Sequence, residues 1–274
     1  MTIKEFIKNN ITKLKEITDI PQKEIYILLG YILKKDFLWL NINNDYLLTK
    51  EEILELDKLI ELRSSAYPLE YITQKVSFYS QEFDIRQGVL IPRPETELLV
   101  DKAIEILANI DSPKVVEVGV GSGIISILLA QKIAKIEITA VDINQEALSL
   151  AKQNAIKKGV IDKIEFKQSD MFSMLNDSSF DMLISNPPYI ANSFDLPKNV
   201  QYEPKEALFG GQSGDEMIKS MIKECYDRKI RYFCCEMGYD QKEKLIKEFL
   251  MYNCKYDFYQ DYSGFDRGFV LEFI

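Results

Sequence analysis

Asn186, Pro187, Pro188 and Tyr189 follow directly on the apolar run "FDMLIS". A proline lacks a backbone N–H and fixes its own φ, and the residue before it is held extended or in a turn. These four residues therefore form a stiff corner at the end of what reads as a buried strand. The Asn186 side chain offers a carbonyl oxygen, and Pro187, which has no donor, keeps its backbone C=O. Two acceptors converging on one point suit an NH2 group, which has two hydrogens to give. The Tyr189 ring adds an apolar face for a planar group. The corner reads as a clamp for a planar amine or amide.

Three features at earlier strand ends say what lies beside it. "VVEVGVGSGIIS" sets Gly119, Gly121 and Gly123, with Val120 and Ser122 between them and Glu117 ahead, between a strand and a helix. Ligands of open α/β sheets bind at the carboxyl ends of the strands, where such loops let them approach the main chain. The dinucleotide fingerprint needs its third glycine one place later, where this chain has Ile124. A pyrophosphate is thus disfavoured, and the tighter loop with an acid before it suits an uncharged or cationic ligand. Asp142 in "AVDIN" ends the next strand, where an acid accepts hydrogen bonds from both hydroxyls of a ribose. Asp170 in "QSDMF" ends the strand after that. Each feature alone is commonplace. All three in order, at successive strand ends, mark a nucleoside pocket.

Composition narrows the chemistry further. The chain has no histidine, which removes the Ser–His and Cys–His nucleophilic pairs, the histidine general base and most zinc sites. No metal is expected. Cys225, Cys234, Cys235 and Cys254 show no C-x-x-C spacing and read as small hydrophobes. The net charge is −9 and nearly all of it lies beyond residue 63, an acidic balance that argues against a tight grip on long nucleic acid. No apolar run approaches a membrane span, and "MTIKEFIKNN" lacks the core of a signal peptide, so a soluble cytoplasmic protein is expected.

The elements that must position these residues follow from periodicity. Ile3, Phe6, Ile7, Ile11, Leu14 and Ile17 share one helical face. Thr18 or Asp19 with Pro21 marks a second helix start, and Thr49 with Glu52 has capping-box spacing. Residues 1–63 thus read as a small helical bundle. From Tyr67 the stretch "YPLEYITQKVSFYSQEFDIRQGVLIPRPETE" reads as one or two β-hairpins. After Pro113 strands and helices alternate, the pattern of crossover units on a parallel sheet. The tail "KYDFYQDYSGFDRGFVLEFI" reads as an antiparallel terminal hairpin. The expected fold class is α/β, a mostly parallel sheet behind a helical domain.

The motifs together resemble the HemK/PrmC family, methyltransferases that modify a glutamine in peptide chain release factors. Besides the proline corner, the likeness rests on "PLEYITQ", "VLIPRPETELLV", "EVGVGSG", "VDINQEALSLAKQNA", "YEPKEALFGGQSG", "CCEMGYDQ" and "DRGFVLEF". It implies a Rossmann-like class I fold that binds S-adenosyl-L-methionine and releases S-adenosyl-L-homocysteine. It implies three regions: residues 1–66, a helical bundle docking the substrate protein; 67–92, a β-hairpin linker; and 93–274, the catalytic domain. By that likeness Gly119 to Gly123 with Glu117 would pass beneath the methionine and ribose, and Asp142 would hold the ribose hydroxyls. Asp170, Met171 and Phe172 would lie near the adenine. Asn186, Pro187 and Tyr189 would be the catalytic residues, with Asn186 also touching the cofactor. Pro188, Arg93, Glu95 and Glu203 would join them around the substrate glutamine. Two departures are visible: Glu117 stands where relatives commonly carry aspartate, and Met171 where some show tryptophan. A monomer with a release factor as partner, and with no direct nucleic acid or membrane contact, is expected.

An amide nitrogen is a poor nucleophile, so the expected catalysis is positioning by acceptors rather than proton transfer. Glu117 or Glu203 acting as a carboxylate base is the alternative within that reading. The rival functions are an adenine or guanine amine methyltransferase of the same fold, a nicotinamide oxidoreductase, and a non-catalytic translation factor. The last is prompted only by the tripeptide "GGQ" at 210–212.

Overall fold

In the computed structural model, which describes residues 1–175 and 179–274, the chain divides into two compact units. The first is Met1–Lys75 together with Leu196–Tyr202, and the second is Val76–Asp195 together with Glu203–Ile274.

The first unit is helical. It comprises α1 (Ile3–Leu14), α2 (Pro21–Leu33), α3 (Phe37–Ile42), α4 (Lys50–Ser64) and the short α5 (Leu69–Thr73). Reciprocal capping boxes start α1 (Thr2 with Glu5) and α4 (Thr49 with Glu52). At α2 Pro21 opens the helix, but Ile20 rather than Thr18 or Asp19 occupies the cap position. Thr18 instead bonds the Ile20 N–H in the preceding turn. Ile3, Phe6, Leu14, Ile25, Leu28, Leu29, Leu56 and Ile60 meet in a core from which water is excluded. Glu24 and Arg63 form a buried ion pair at 2.7 Å within it. "PLEYIT" is helix rather than strand: Pro68 sets φ −57 at the cap, and Gln74 in the left-handed region ends the turn.

The division falls at the first residue of β1 (Lys75–Phe78), which pairs with β2 (Gln81–Asp84) in a two-stranded sheet, the only hairpin of the stretch read from Tyr67 onward among the described residues. Its two-residue turn, Tyr79–Ser80, has positive φ at both positions, as a twisted hairpin requires. The Tyr79 N–H donates to Glu97 at 2.6 Å and its hydroxyl to Asp101 at 2.6 Å, which fastens the turn.

The elements that follow are α6 (Thr96–Leu107), β3 (Lys114–Val118), α7 (Ile124–Lys132), β4 (Glu137–Asp142), α8 (Gln145–Lys157), β5 (Ile164–Gln168), β6 (Met182–Ser185), β7 (Ile190–Ala191), β8 (Phe209–Gly211), α9 (Glu216–Arg228), β9 (Tyr232–Glu236), α10 (Lys242–Phe249), β10 (Cys254–Gln260) and β11 (Asp266–Phe273). Seven strands form one sheet in the order β10-β11-β9-β6-β3-β4-β5. β3, β4, β5, β6 and β9 pair in parallel, and β11 runs antiparallel to both β9 and β10. The chain winds outward from β3 to β5, then returns to lay β6 on the other side of β3. The crevice between β3 and β6 is therefore the place where the winding reverses, and ligands of such sheets bind beyond that point. Both the glycine loop and the proline corner leave the sheet there.

Among the described residues no helix is long and apolar enough to cross a membrane.

Candidate active site

The glycine loop is held by two neighbouring elements, β4 and α8, as it leaves β3. The N–H groups of Gly119 and Val120 both donate to the Val141 carbonyl on β4, at 2.9 and 3.0 Å. The loop thus turns back across the sheet before α7 begins. Gly123 has φ 84, and a Cβ there would lie 2.9 Å from the Ala151 Cβ on α8. No larger residue fits between helix and loop. Asn154 on α8 donates to the Ser122 carbonyl at 2.9 Å and to the Asp84 carbonyl at 3.0 Å, tying the loop to β2. Glu117 is almost fully buried, and its carboxylate accepts the Ser126 N–H at 3.0 Å and the Ser126 hydroxyl. It therefore caps the first turn of α7 from below. Burial pushes its carboxyl up to about 8.

Asp142 ends β4 with both oxygens in use: Oδ2 accepts the Gly121 N–H at 2.9 Å and Oδ1 the Asn144 N–H at 2.9 Å. Each oxygen retains a lone pair for a further donor. Burial raises its carboxyl above the usual range, and the backbone hydrogen bonds oppose that. Beside it lies a solvent-open cleft with about 710 Å³ of space between and above its walls. Gly119, Gly121, Asp142, Asp170, Met171 and Asn186 contribute to its walls, as do Gly88 to Leu90 and Pro204, Glu206 and Ala207. A second, smaller cavity of about 390 Å³ is lined by Glu117, Gly119 to Ser122, Thr96 and again Asn186. Asn186 and the glycine loop are shared by both.

At the proline corner, β6 ends with Ser185 donating to the Val118 carbonyl at 2.7 Å. The corner and the glycine loop thus leave adjacent strands side by side, and a Cβ on Gly119 would lie 4.0 Å from the Asn186 carbonyl. Asn186 Nδ2 donates to Thr96 Oγ1 at 3.0 Å. The Thr96 hydroxyl donates to Glu236 Oε2 at 2.6 Å, and the Tyr189 hydroxyl to Glu236 Oε1 at 3.1 Å. Glu236 is almost fully buried at the end of β9, and burial raises its carboxyl to about 7. Burial also holds the Tyr189 phenol well above its ordinary range. Among the described residues no donor reaches Asn186 Oδ1 or the Pro187 carbonyl oxygen.

The sequences flanking the corner explain its rigidity. Gln241 donates to the Tyr189 carbonyl at 2.9 Å while its own oxygen accepts the Gly238 N–H at 2.9 Å. Gly210 lies so close that a Cβ would sit 2.3 Å from the Pro188 carbonyl oxygen and 2.5 Å from that of Gly214. The "GGQ" tripeptide is thereby accounted for by backbone packing against the corner, with Gln212 exposed. Gly210→Ala is expected to lower stability by about 2 kcal/mol, because neither carbonyl is free to retreat. A melting curve checks this, and a variant that melts with the unchanged protein would mean the corner yields.

The remaining expected site residues are distributed as follows. Glu203 is buried, and accepts the Ile91 N–H at 2.9 Å and Arg93 Nη2 at 2.5 Å. It fixes the "IPRP" segment from inside, with its carboxylate occupied. Glu95 stands just before α6. Met171, at φ 48, turns the chain so that Phe172 is buried in the core with the Arg228 guanidinium 4.9 Å over its ring. Met171 lines the cleft while Phe172 lies outside its walls, as do Gly123, Pro187 and the Tyr189 ring. Thr96, Glu236 and Gln241 join the site without a sequence expectation. Glu236 carries the same signal as Asp142, an acid closing a strand; Thr96 and Gln241 carry none that is local.

Family models match both regions of the chain: the PrmC N-terminal domain over residues 5–73, and the Methyltransferase small domain over residues 95–203. The N-terminal domain of human METTL16, solved in complex with SAH, superposes with a TM-score of 0.53 at 17% identity, covering 90% of this chain and 94% of that one. At that identity the likeness carries the fold, a class I methyltransferase, and nothing finer. A release factor glutamine methyltransferase of Dictyoglomus turgidum is 42% identical over 77% of this chain and 76% of its own. One of Buchnera aphidicola subsp. Baizongia pistaciae is 36% identical over 97% of this chain and 98% of its own. With identity at that level running from end to end, and both family models in their places, this chain belongs to the release factor glutamine methyltransferase family.

Proposed function

We propose that the protein transfers a methyl group from S-adenosyl-L-methionine to the side-chain amide nitrogen of a glutamine, that of the GGQ motif in a peptide chain release factor. Relatives so named across most of the chain support the substrate class. The observation that carries the chemistry is the pair of unclaimed acceptors, Asn186 Oδ1 and the Pro187 carbonyl, on a corner braced from three sides.

The residues present fit the donor molecule. The cleft is lined by the glycine loop and by the acids that close β4 and β5, and Asp142 closes β4 with a free lone pair on each oxygen. Asp142 would hold the ribose hydroxyls, Asp170 and Met171 would border the adenine, and Gly119 to Ser122 would pass beneath the methionine. When bound, S-adenosyl-L-methionine supplies an electrophilic methyl on a sulfonium, which leaves behind a neutral thioether. Asn186 and Pro187 would take the two N–H bonds of the glutamine amide. That draws electron density onto a nitrogen whose lone pair is otherwise delocalised, and fixes its direction. Arg93 and Glu95 would form a lip for the incoming peptide, Arg93 being held by Glu203. Orientation of this kind is worth roughly 10⁵ M or more in effective concentration. The nitrogen becomes acidic once methylated and passes its proton to water, so the chemistry proceeds without imidazole.

Incubation with radiolabelled S-adenosyl-L-methionine and a purified release factor tests the reading. Label is expected in the factor and absent when its GGQ glutamine is replaced. Label in both, or in neither, would overturn it; label in added DNA or RNA instead would favour the amine methyltransferase of nucleic acids.

A further inference from the structure

Asn186 faces the substrate with an amide, and an amide has two ends of opposite polarity and nearly equal shape. Only one end is useful: the oxygen accepts from a glutamine NH2, whereas the NH2 would repel it. Nothing in the corner's own backbone decides between them. The decision is made behind it, by Glu236 and by Thr96, which also lines the smaller cavity but has no assigned contact with cofactor or substrate.

A threonine hydroxyl has one hydrogen. Thr96, buried at the first position of α6, gives that hydrogen to Glu236 Oε2 at 2.6 Å, the short distance of a charge-assisted bond. Its oxygen can then only accept toward Asn186, and the group lying 3.0 Å from it is Nδ2. Were Glu236 protonated, it would supply a hydrogen of its own. Thr96 would be released to donate to Asn186, and the amide would be stable turned over, its NH2 facing the substrate.

The placement follows from the sheet. Ser185 on β6 pairs with Cys235 on β9, so Asn186 and Glu236 leave neighbouring strands in step, and α6 packs on β9 with Thr96 between them. We propose that Glu236 and Thr96 are positioning residues that set the polarity of the Asn186 amide, so that its oxygen and not its NH2 meets the substrate nitrogen. The inference rests on the proposed methyl transfer to glutamine.

The groups facing Glu236 leave it free to act as the determinant near neutral pH. Glu95, just before α6, adds like charge, and Arg267 on β11 opposes it. Tyr189 after β6 and Tyr259 on β10 are held protonated by burial, as is the Cys235 thiol on the same strand. The carboxyl of Glu236 is raised by burial to about 7. Loss of its charge below that value turns the relay off.

The test compares Thr96→Val, which removes the hydroxyl at nearly constant shape, with Thr96→Ser, which keeps it. Single-turnover methylation of release factor and calorimetric binding of S-adenosyl-L-homocysteine are measured across pH 6 to 8. The unchanged protein should methylate about tenfold more slowly at pH 6 than at pH 8, as a single group near 7 dictates. T96V should lose about ten- to a hundredfold in rate and lose that pH limb, with the homocysteine product bound within about twofold of normal. T96S should stay within about threefold of the unchanged rate and keep the limb. A T96V enzyme with normal rate and limb, or a T96S enzyme as impaired as T96V, would overturn the positioning role while leaving the proposed activity standing. A flat profile in the unchanged protein would overturn it too, and needs no variant to fold. An unchanged protein that labels no release factor at any pH would overturn the activity, and the positioning role with it.

Discussion

Replacing Asn186 with alanine is expected to lower kcat by about a hundred- to a thousandfold, the range seen when a single preorganised polar contact to a transition state is deleted. The loss should fall on kcat rather than on KM for the release factor. The glutamine gains nucleophilicity only as its nitrogen begins to share electrons with the methyl carbon, and the pull of Oδ1 on the N–H bonds grows with it. The Pro187 carbonyl remains, which is why the loss is not total. Cofactor affinity should weaken only modestly, because Asn186 is one of several residues lining the cleft, and Asp142 and the glycine loop, joined by a hydrogen bond, remain in place. Folding should be nearly unaffected: Ser185 still ties β6 to β3, and Gln241 and Gly210 still brace the corner. Steady-state methylation of purified release factor measures both constants. A variant with near-normal kcat would mean that the nitrogen is activated elsewhere.

The parts of this site that the sequence made legible are those whose function is a property of local backbone. Two prolines stop a strand wherever they occur, glycines at close spacing permit one kind of turn, and an acid closing a strand faces the ligand side of any parallel sheet. Asn186, Gly119, Gly121 and Asp142 are therefore assignable to one cleft from sequence, and all four line it. What stayed hidden depends on partners far along the chain. Glu203 reaches residues 110 and 112 positions away, and the Thr96–Glu236 bond spans 140. No spacing rule connects such residues. Two neighbours in sequence also part company in space: Met171 lines the cleft, while the left-handed turn at that residue delivers Phe172 to the core. The aromatic ring of Tyr189 shows the same limit. Its type suggested a stacking face, whereas its hydroxyl bonds Glu236 and its ring packs against the core. Among the elements, "PLEYIT" has the β-branched and aromatic residues of a strand, but Pro68 opens a helical turn, and that local constraint prevails.

Asp142→Ala should act on the other half of the reaction. In the proposed function its carboxylate would offer an acceptor to each ribose hydroxyl, and a hydrogen bond to a charged group is worth about 1.5–3 kcal/mol. Losing two such bonds raises the Kd for S-adenosyl-L-methionine roughly a hundredfold or more. A second loss compounds the first, since Oδ2 also receives the Gly121 N–H and so holds the glycine loop in the conformation the ligand meets. The surroundings should survive. Asn144 still caps α8 through its own side chain, which accepts the Glu146 N–H at 2.8 Å, and still donates to the Gly88 carbonyl at 3.0 Å. Asp142→Asn, which keeps one acceptor and turns the other into a donor, should fall between the two. At saturating cofactor, kcat should change far less than Kd, the reverse of the Asn186 pattern. Calorimetric titration with S-adenosyl-L-homocysteine reads the affinity without turnover, and an unchanged Kd would place the ribose elsewhere. Under the proposed function the two variants separate the site into a half that binds and a half that activates, and opposite signatures are expected from Asp142 and Asn186, which line one cleft from strands two apart in the sheet.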